Sequence, residues 1–209
     1  MTPDLSCYLV LDAGLCGDRL VEIARAAVGG GAGVVQLRMK EATTAERIAT
    51  GRAVQAAIGG RALFVMNDDI EAALALSADG VHVGQGDMPA AEVRRAIGEG
   101  RLLGLSVETE AQARALPGCV DYVGAGPVRA TATKPGHAAP TGWDGLARIV
   151  AASPVPAVAI GGVTASDAPA AARAGGVGLA VVSAICAAPD PAAAARDIAQ
   201  AMRAAREAA

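Results

Sequence analysis

The sequence predicts one domain, residues 1–209, folded as a parallel eight-stranded (β/α)₈ TIM barrel. Three observations lead there. Short apolar runs alternate with helix-patterned stretches eight times, at a spacing of roughly 20–30 residues. Apolar residues make up 53% of the chain and aromatics 2%, so the core must be built from Val, Ile, Leu and Ala, as suits parallel strands buried on both faces. A GxGxxG motif at the first turn, which an open dinucleotide-binding sheet would need, is missing. No linker or low-complexity tail interrupts the pattern, and the length suffices for one sizeable core.

The elements follow in order. Ser6–Leu11 reads as the first strand, and Asp18 opens a helix that Gly29–Gly33 ends. Val34–Leu37 is the second strand, followed by Arg38-Met39-Lys40 and a helix to Ile58 that Thr43 or Thr44 can cap. Ala62–Met66 is the third strand, Ile70–Leu76 has helical spacing, and Gly80–Val83 is the fourth strand. Pro89 starts a helix to about Gly98; Leu102–Leu105 and Val120–Val123 are strands on either side of a helix over Glu108–Leu116. A long loop, Gly124–Thr141, precedes a helix around Asp144–Ala151. Val155–Ile160 and Val177–Val182 are the last strands, separated by a helix over Thr164–Ala174, and Asp190–Ala208 is a terminal helix.

The net charge of −3 and pI near 5.4 give no general attraction to nucleic acid or to an anionic membrane, so anion binding must come from local cations. No apolar run reaches the length of a transmembrane helix. Cys7, Cys16, Cys119 and Cys186 form no CxxC pair, and Asp4 and Asp12 flank the first apolar run, unlike the basic lead of a signal peptide. A reducing, cytoplasmic setting is expected. A homo-oligomer is allowed by the sequence but not specified by it.

Scarcity gives a sharper clue. The chain has 16 arginines but only two lysines, Lys40 and Lys134, and Asn67 is its only asparagine. A lysine in such a chain marks a site that wants a compact ammonium and not a planar fork.

In barrels of this kind chemistry sits where strands end. The stretch Phe64–Met88 delivers Asp68 and Asp87 to the same end of neighbouring strands, and paired carboxylates with room for water suit Mg²⁺ and phosphate oxygens. Asp69 competes with Asp68, but it begins a helical run and reads as its N-cap. Gln36, Arg38 and Lys40 alternate from the second strand onward, so if the strand geometry persists past Leu37 they point the same way and can grip a diphosphate and a heterocycle edge. Ser106 ends the fifth strand. The segment Gly124–Lys134, with Thr131, Thr133 and Lys134, is composed like a phosphate cradle. Gly161-Gly162 and Val182-Ser183 match the phosphate site that barrels build after strands seven and eight. Two anion sites imply two phosphorylated small-molecule substrates. His82, Phe64 and Trp143 read as packing residues, and no Ser-His-Asp, Cys-His or zinc spacing is present.

The motifs QLRMK, MNDD, ADGVHVGQGDM, GLSVET, GPVRATATKP, AIGGV and AVVSAI, in this order, resemble the thiamine-phosphate synthase family over about residues 6–186. The resemblance implies a Mg²⁺-dependent transferase of thiamine biosynthesis. It would join 4-amino-2-methyl-5-hydroxymethylpyrimidine diphosphate to 4-methyl-5-hydroxyethylthiazole phosphate, or its carboxylated form, with release of pyrophosphate. Carried over by position, Gln36, Leu37, Arg38, Met39, Lys40, Asn67, Ser106 and Lys134 would hold the pyrimidine diphosphate. Asp68 and Asp87 would hold Mg²⁺. Thr131, Ala132, Thr133, Gly162, Val182 and Ser183 would hold the thiazole phosphate. Arg38, Lys40, Lys134 and Ser106 would be the catalytic residues. Arg129 departs from the family, which often has an aromatic residue there. The rival readings are a thiazole tautomerase on the same scaffold and a barrel that binds thiamine precursors without turnover.

Overall fold

The computed structural model describes residues 3–131 and 139–209. Eight parallel strands close in sequence order: β1 (Cys7–Asp12), β2 (Val34–Arg38), β3 (Leu63–Asn67), β4 (Gly80–Val83), β5 (Leu102–Val107), β6 (Tyr122–Ala125), β7 (Ala157–Ile160) and β8 (Gly178–Val181), with β8 returning to β1. The eight-stranded barrel expected from the alternating pattern is therefore the fold. Among the described residues no helix is long and apolar enough to cross a membrane.

The helices start and stop for local reasons. Thr43 and Glu46 form a reciprocal capping box at α3 (Thr44–Ile58), and Gly59 ends it at a φ of 60°. Asp69 caps α4 (Ile70–Ala75) by accepting from the Ala72 amide. Thr109 and Gln112 do the same for the short α6 (Glu110–Arg114), which is why that helix begins later than Glu108. Asp190 caps the terminal helix α10 (Pro191–Glu207). The other helices are α1 (Ala13–Cys16), α2 (Leu20–Gly30), α5 (Ala90–Ile97), α7 (Gly142–Ala152), α8 (Ala168–Arg173) and α9 (Ser183–Cys186).

Several boundaries differ from the pattern reading. Asp18 lies in a turn between α1 and α2 and does not open the helix. The sixth strand starts at Tyr122, because the Val120 amide donates to Pro117 and closes a turn first. The helix expected from Thr164 is broken: the Asp167 carboxylate folds back onto Thr164, and α8 begins only after that turn.

Alternation sorts the side chains into two cores. The larger lies between strands and helices and includes Leu9, Leu37, Phe64, Met66, Leu103 and Ile149. The smaller fills the barrel interior with Tyr8, Val10, Val34, Val65, Tyr122, Val158 and Ala180.

At the lower end of the barrel, away from the strand C-termini, Arg94 of α5 is 6% exposed. Its guanidinium donates to Gly98 (2.8 Å), Arg101 (2.7 Å), Cys119 (2.9 Å) and the Asp121 carboxylate (2.6 Å), tying α5 to the turns before β5 and β6. Removing it leaves these acceptors without their donor. Arg94→Met should lower unfolding free energy by about 3 kcal/mol in urea titration, while substrate KM values stay within twofold because the site is at the other end.

Candidate active site

A cavity of about 460 Å³ opens at the C-terminal ends of the strands, of the size that small-molecule sites have. One wall is cationic and acidic. Gln36, Arg38 and Lys40 all line it, as their alternation predicts. Leu37 and Met39 lie between them in sequence but belong to the outer core, so the contacts open to them at the cavity are through backbone.

Both cations on this wall are already matched. Arg38 donates to the Asp12 carboxylate, and both side chains are largely buried. Asp12 also accepts from the Leu15 amide at 3.1 Å, which anchors it as the cap of α1. Lys40 is bonded to Asp68. Arg47 of α3 donates to the carbonyls of Met39 (3.0 Å) and Lys40 (3.2 Å) and to Asp69 (2.9 Å), so it pins the segment after β2 to the turn after β3.

Asp68 and Asp69 are sorted as the sequence suggests. Asp69 is occupied by its cap, by Arg47 and by Thr44 at 2.9 Å. Asp68 faces the cavity with a left-handed φ of 63°, a conformation Asp tolerates better than most residues. Asn67 donates to it at 2.7 Å. Burial raises the Asp68 carboxyl above its ordinary value, the neighbouring Asp87 carboxylate adds to the rise, and Lys40 opposes it. Asp87, from the neighbouring strand end, accepts from the Gly84 amide at 2.7 Å and caps no helix. Two carboxylates close enough to repel each other form a place where a cation would be welcome. Among the described residues no three His, Cys, Asp or Glu side chains converge. The donor set therefore suits an ion that keeps water and takes substrate oxygens, as Mg²⁺ does, better than one needing a full protein cage.

The opposite wall is uncharged. Gly161, Gly162, Val182, Ser183 and Thr131 line it. Gly161 and Gly162 have φ values of 100° and 64°, and a Cβ at Gly161 would stand 2.5 Å from Pro127 Cβ, so the backbone turns here where a side chain could not follow. The Val128 and Arg129 amides donate to Ile160 and Gly161 at 2.8 and 3.0 Å, holding the segment after β6 against this turn. Arg129 reinforces it with a two-pronged bond to buried Asp167, both distances 2.6 Å, and its guanidinium lies 5.6 Å from the Trp143 ring centroid. Ala132, Thr133 and Lys134 lie outside the described residues.

The floor holds residues the motif reading passed over. Gln36 Nε2 donates to Tyr8 Oη at 2.7 Å, the Tyr8 and Tyr122 hydroxyls are 2.7 Å apart, His82 Nδ1 is 3.2 Å from Tyr122 Oη, and His82 Nε2 is 3.0 Å from Ser106 Oγ. His82 is packed, as expected, but it is also part of this polar chain and of the cavity lining. The missed signal was scarcity: the chain has only two tyrosines, and both are here.

With this geometry in view, similarity to known proteins becomes informative. The TMP-TENI family model, described as thiamine monophosphate synthase, matches residues 7–185. The chain belongs to the thiamine monophosphate synthase family. Within it, the thiamine-phosphate synthase of Solidesulfovibrio magneticus is 54% identical over 200 residues, covering 93% of this chain and 94% of that one. The protein of the same name from Laribacter hongkongensis is 48% identical over 198 residues, with the same coverage. The solved thiamine phosphate pyrophosphorylase of Pyrococcus furiosus superposes with a TM-score of 0.87 at 33% identity, covering 97% of this chain and 98% of that one. Family membership agrees with a cavity that has one carboxylate-and-cation wall and one glycine-rich wall.

The two adjacent aspartates should behave oppositely on substitution. Asp69→Ala should cost about 2 kcal/mol in urea titration, through the lost cap and its two side-chain bonds. Asp68→Asn keeps the left-handed turn and removes a crowded buried charge, so its stability should equal or exceed that of the unmodified protein.

Proposed function

We propose that the chain is a thiamine-phosphate synthase, a transferase that couples 4-amino-2-methyl-5-hydroxymethylpyrimidine diphosphate to 4-methyl-5-hydroxyethylthiazole phosphate, or its carboxylated form, and releases pyrophosphate. The observation that carries this reading is the single cavity in which Asp68 and Asp87 stand side by side next to Arg38 and Lys40, across from the Gly161-Gly162 turn and Ser183. Family membership and the two curated synthases support it.

In this reading Arg38, Lys40 and Asn67 receive the diphosphate, and Gln36 and Ser106 hold the pyrimidine over the floor. Lys134, outside the described residues, is assigned to the diphosphate from sequence alone. Thr131, Gly162, Val182 and Ser183, with Ala132 and Thr133 by sequence, receive the thiazole phosphate. That phosphate is a handle: once it is fixed, the thiazole nitrogen is oriented towards the pyrimidine methylene. The carbon–oxygen bond to the diphosphate breaks and its electron pair leaves with pyrophosphate. The nitrogen lone pair then forms the carbon–nitrogen bond, giving the thiazolium of thiamine phosphate; with the carboxylated form the bond from the ring to its carboxylate also breaks, CO₂ leaves, and the ring carbon takes up a proton. No proton need be removed in this exchange, which fits a site built from cations, amides and hydroxyls. Bound between Asp68 and Asp87, Mg²⁺ would supply Lewis-acid stabilisation of the leaving diphosphate. Arg38 and Lys40 counter the same developing charge, and both are held in place before substrate arrives, by Asp12 and Asp68.

The test is to mix purified protein with both phosphorylated precursors, with and without Mg²⁺, and to follow thiamine phosphate and pyrophosphate. Metal-dependent appearance of both in equal amounts is expected. Tautomerisation of a thiazole carboxylate in their place would identify an isomerase, and binding of both precursors without product would identify a non-catalytic barrel. Asp87→Ala should reduce turnover by about 10²-fold or more while thiazole phosphate binds as before. Undiminished turnover would remove the metal assignment.

A further inference from the structure

With a neutral imidazole at His82, the hydrogen bonds of the polar chain across the cavity floor can run in either of two directions. Gln36 is 5% exposed, Tyr8 1%, Tyr122 2% and His82 8%, so there is little room for water to break it. Burial, the larger influence on each, pushes the Tyr8 phenol up to about 12 and the Tyr122 phenol well above its usual value. Both therefore keep their proton, and each has one hydrogen to donate.

In the first setting Gln36 Nε2 donates to Tyr8, as the geometry has it. Tyr8 then donates to Tyr122, and Tyr122 to His82 Nδ1. A neutral imidazole carries its hydrogen on Nε2 and donates it to Ser106 Oγ, which leaves the serine hydrogen for the cavity. Gln36 turns its carbonyl branch to the same cavity. In the second setting every step reverses. Ser106 donates to His82 Nε2, His82 Nδ1 donates to Tyr122, Tyr122 to Tyr8, and Tyr8 to the carbonyl of a flipped Gln36. The cavity then meets an N–H from Gln36 and lone pairs from Ser106. The two ends are tied: one presents a donor whenever the other presents an acceptor.

We propose that Tyr122, which is not part of the cavity wall, is a positioning residue that enforces this tie through Tyr8 and His82, and that the tie selects a heteroaromatic ring offering a donor to Gln36 and an acceptor to Ser106. The inference rests on the pyrimidine-transfer reading for its substrate and on the hydrogen-bond chain for its logic. A 4-aminopyrimidine fits the first setting, with its amino hydrogen on Gln36 and a ring nitrogen on Ser106. A 4-oxopyrimidine, which exchanges the donor and acceptor, fits only the second.

The backbone supports a built device. Gly104 of β5 pairs in register with both His82 and Tyr122. A Cβ at Gly104 would lie 2.4 Å from His82 Nδ1 and 2.4 Å from Tyr122 Oη, so the link in the middle of the chain exists only because that position has no side chain. The Tyr122 ring is also braced between Tyr8 and His82, at centroid separations of 5.8 and 5.6 Å.

The test compares binding of the 4-amino and 4-oxo pyrimidine diphosphates by calorimetry, in the unmodified protein and in Tyr122→Phe. Tyr122→Phe should weaken binding of the amino compound about tenfold and shrink the amino-over-oxo preference by at least as much. The KM for thiazole phosphate should not move. A merely structural role would affect both substrates alike. A preference that survives Tyr122→Phe overturns the proposal.

A second measurement needs no variant. The chain has two histidines, so ¹⁵N-histidine NMR can read the His82 tautomer in the unmodified protein. The Nε2–H form is expected with the amino compound and the Nδ1–H form with the oxo compound. One unchanged form with both overturns the tie. Absence of thiamine phosphate synthesis by the unmodified protein would count against the transferase reading alone, since binding and tautomer are measured without turnover.

Discussion

The space inside a closed eight-stranded barrel is limited, and everything at this site depends on how that space is divided. Inward positions come from alternate residues of every strand, so a large side chain on one strand demands a small one beside it. Here two tyrosines and a histidine occupy the interior; Gly104 on β5 is in register with His82 and Tyr122, and a Cβ at Gly124 on β6 would stand 3.3 Å from the His82 ring. A barrel filled with Val and Ile throughout would be a better hydrophobic core but would have no floor capable of hydrogen bonding. The aliphatic members of the interior, Val10, Val34, Val65, Val158 and Ala180, are what exclude water around the polar chain and make its hydrogen bonds strong.

Above that floor the charged wall is organised by a second set of pairings. Arg38 and Lys40 arrive along one strand and are each matched by a carboxylate from a neighbour, Asp12 from β1 and Asp68 from the end of β3. Arg47, one helix further out, holds the backbone that carries Lys40. The two cations of such a wall are paired before any ligand binds. A diphosphate entering it finds donors in fixed positions, so the ordering of long side chains has already been met by folding.

How much of this was legible in the sequence follows from the range over which each signal acts. The strands and helices were legible because alternation and capping are local: Thr43 with Glu46, or Asp69 ahead of Ile70, announce themselves within four residues. The separation of Asp68 from Asp69 was legible for the same reason. Gln36, Arg38 and Lys40 could be placed on one face by period-two spacing, which also explains why Leu37 and Met39 turned away. What could not be read were partnerships between distant strands. Asp12 with Arg38, Arg129 with Asp167, and Tyr8 with Tyr122 are separated by 26, 38 and 114 residues. No motif links them; closure of the barrel does. Arg129 shows the point most clearly, since as sequence it is only a departure from an aromatic position, while in the fold it clamps two strand ends together and stacks near Trp143.

The division between a charged wall and an uncharged floor has a chemical rationale under the transferase reading. If the carbon–oxygen bond breaks before the carbon–nitrogen bond forms, negative charge grows on the diphosphate while positive charge grows on the pyrimidine. A cationic side chain in the floor would oppose the second, and a carboxylate there would capture the cation or hold the substrate too tightly before reaction. A line of neutral dipoles does neither. Burial keeps both phenols protonated, so the floor carries no negative charge from them across the ordinary pH range. The carbonyl end of Gln36 can then stabilise a partly positive amino group without forming a bond to carbon. The cations stay with the leaving group, where Arg38 and Lys40 are held by their carboxylates at the rim. The separation follows from strand register: the tyrosines sit deep in the barrel, and the charges sit where β1, β2 and β3 end.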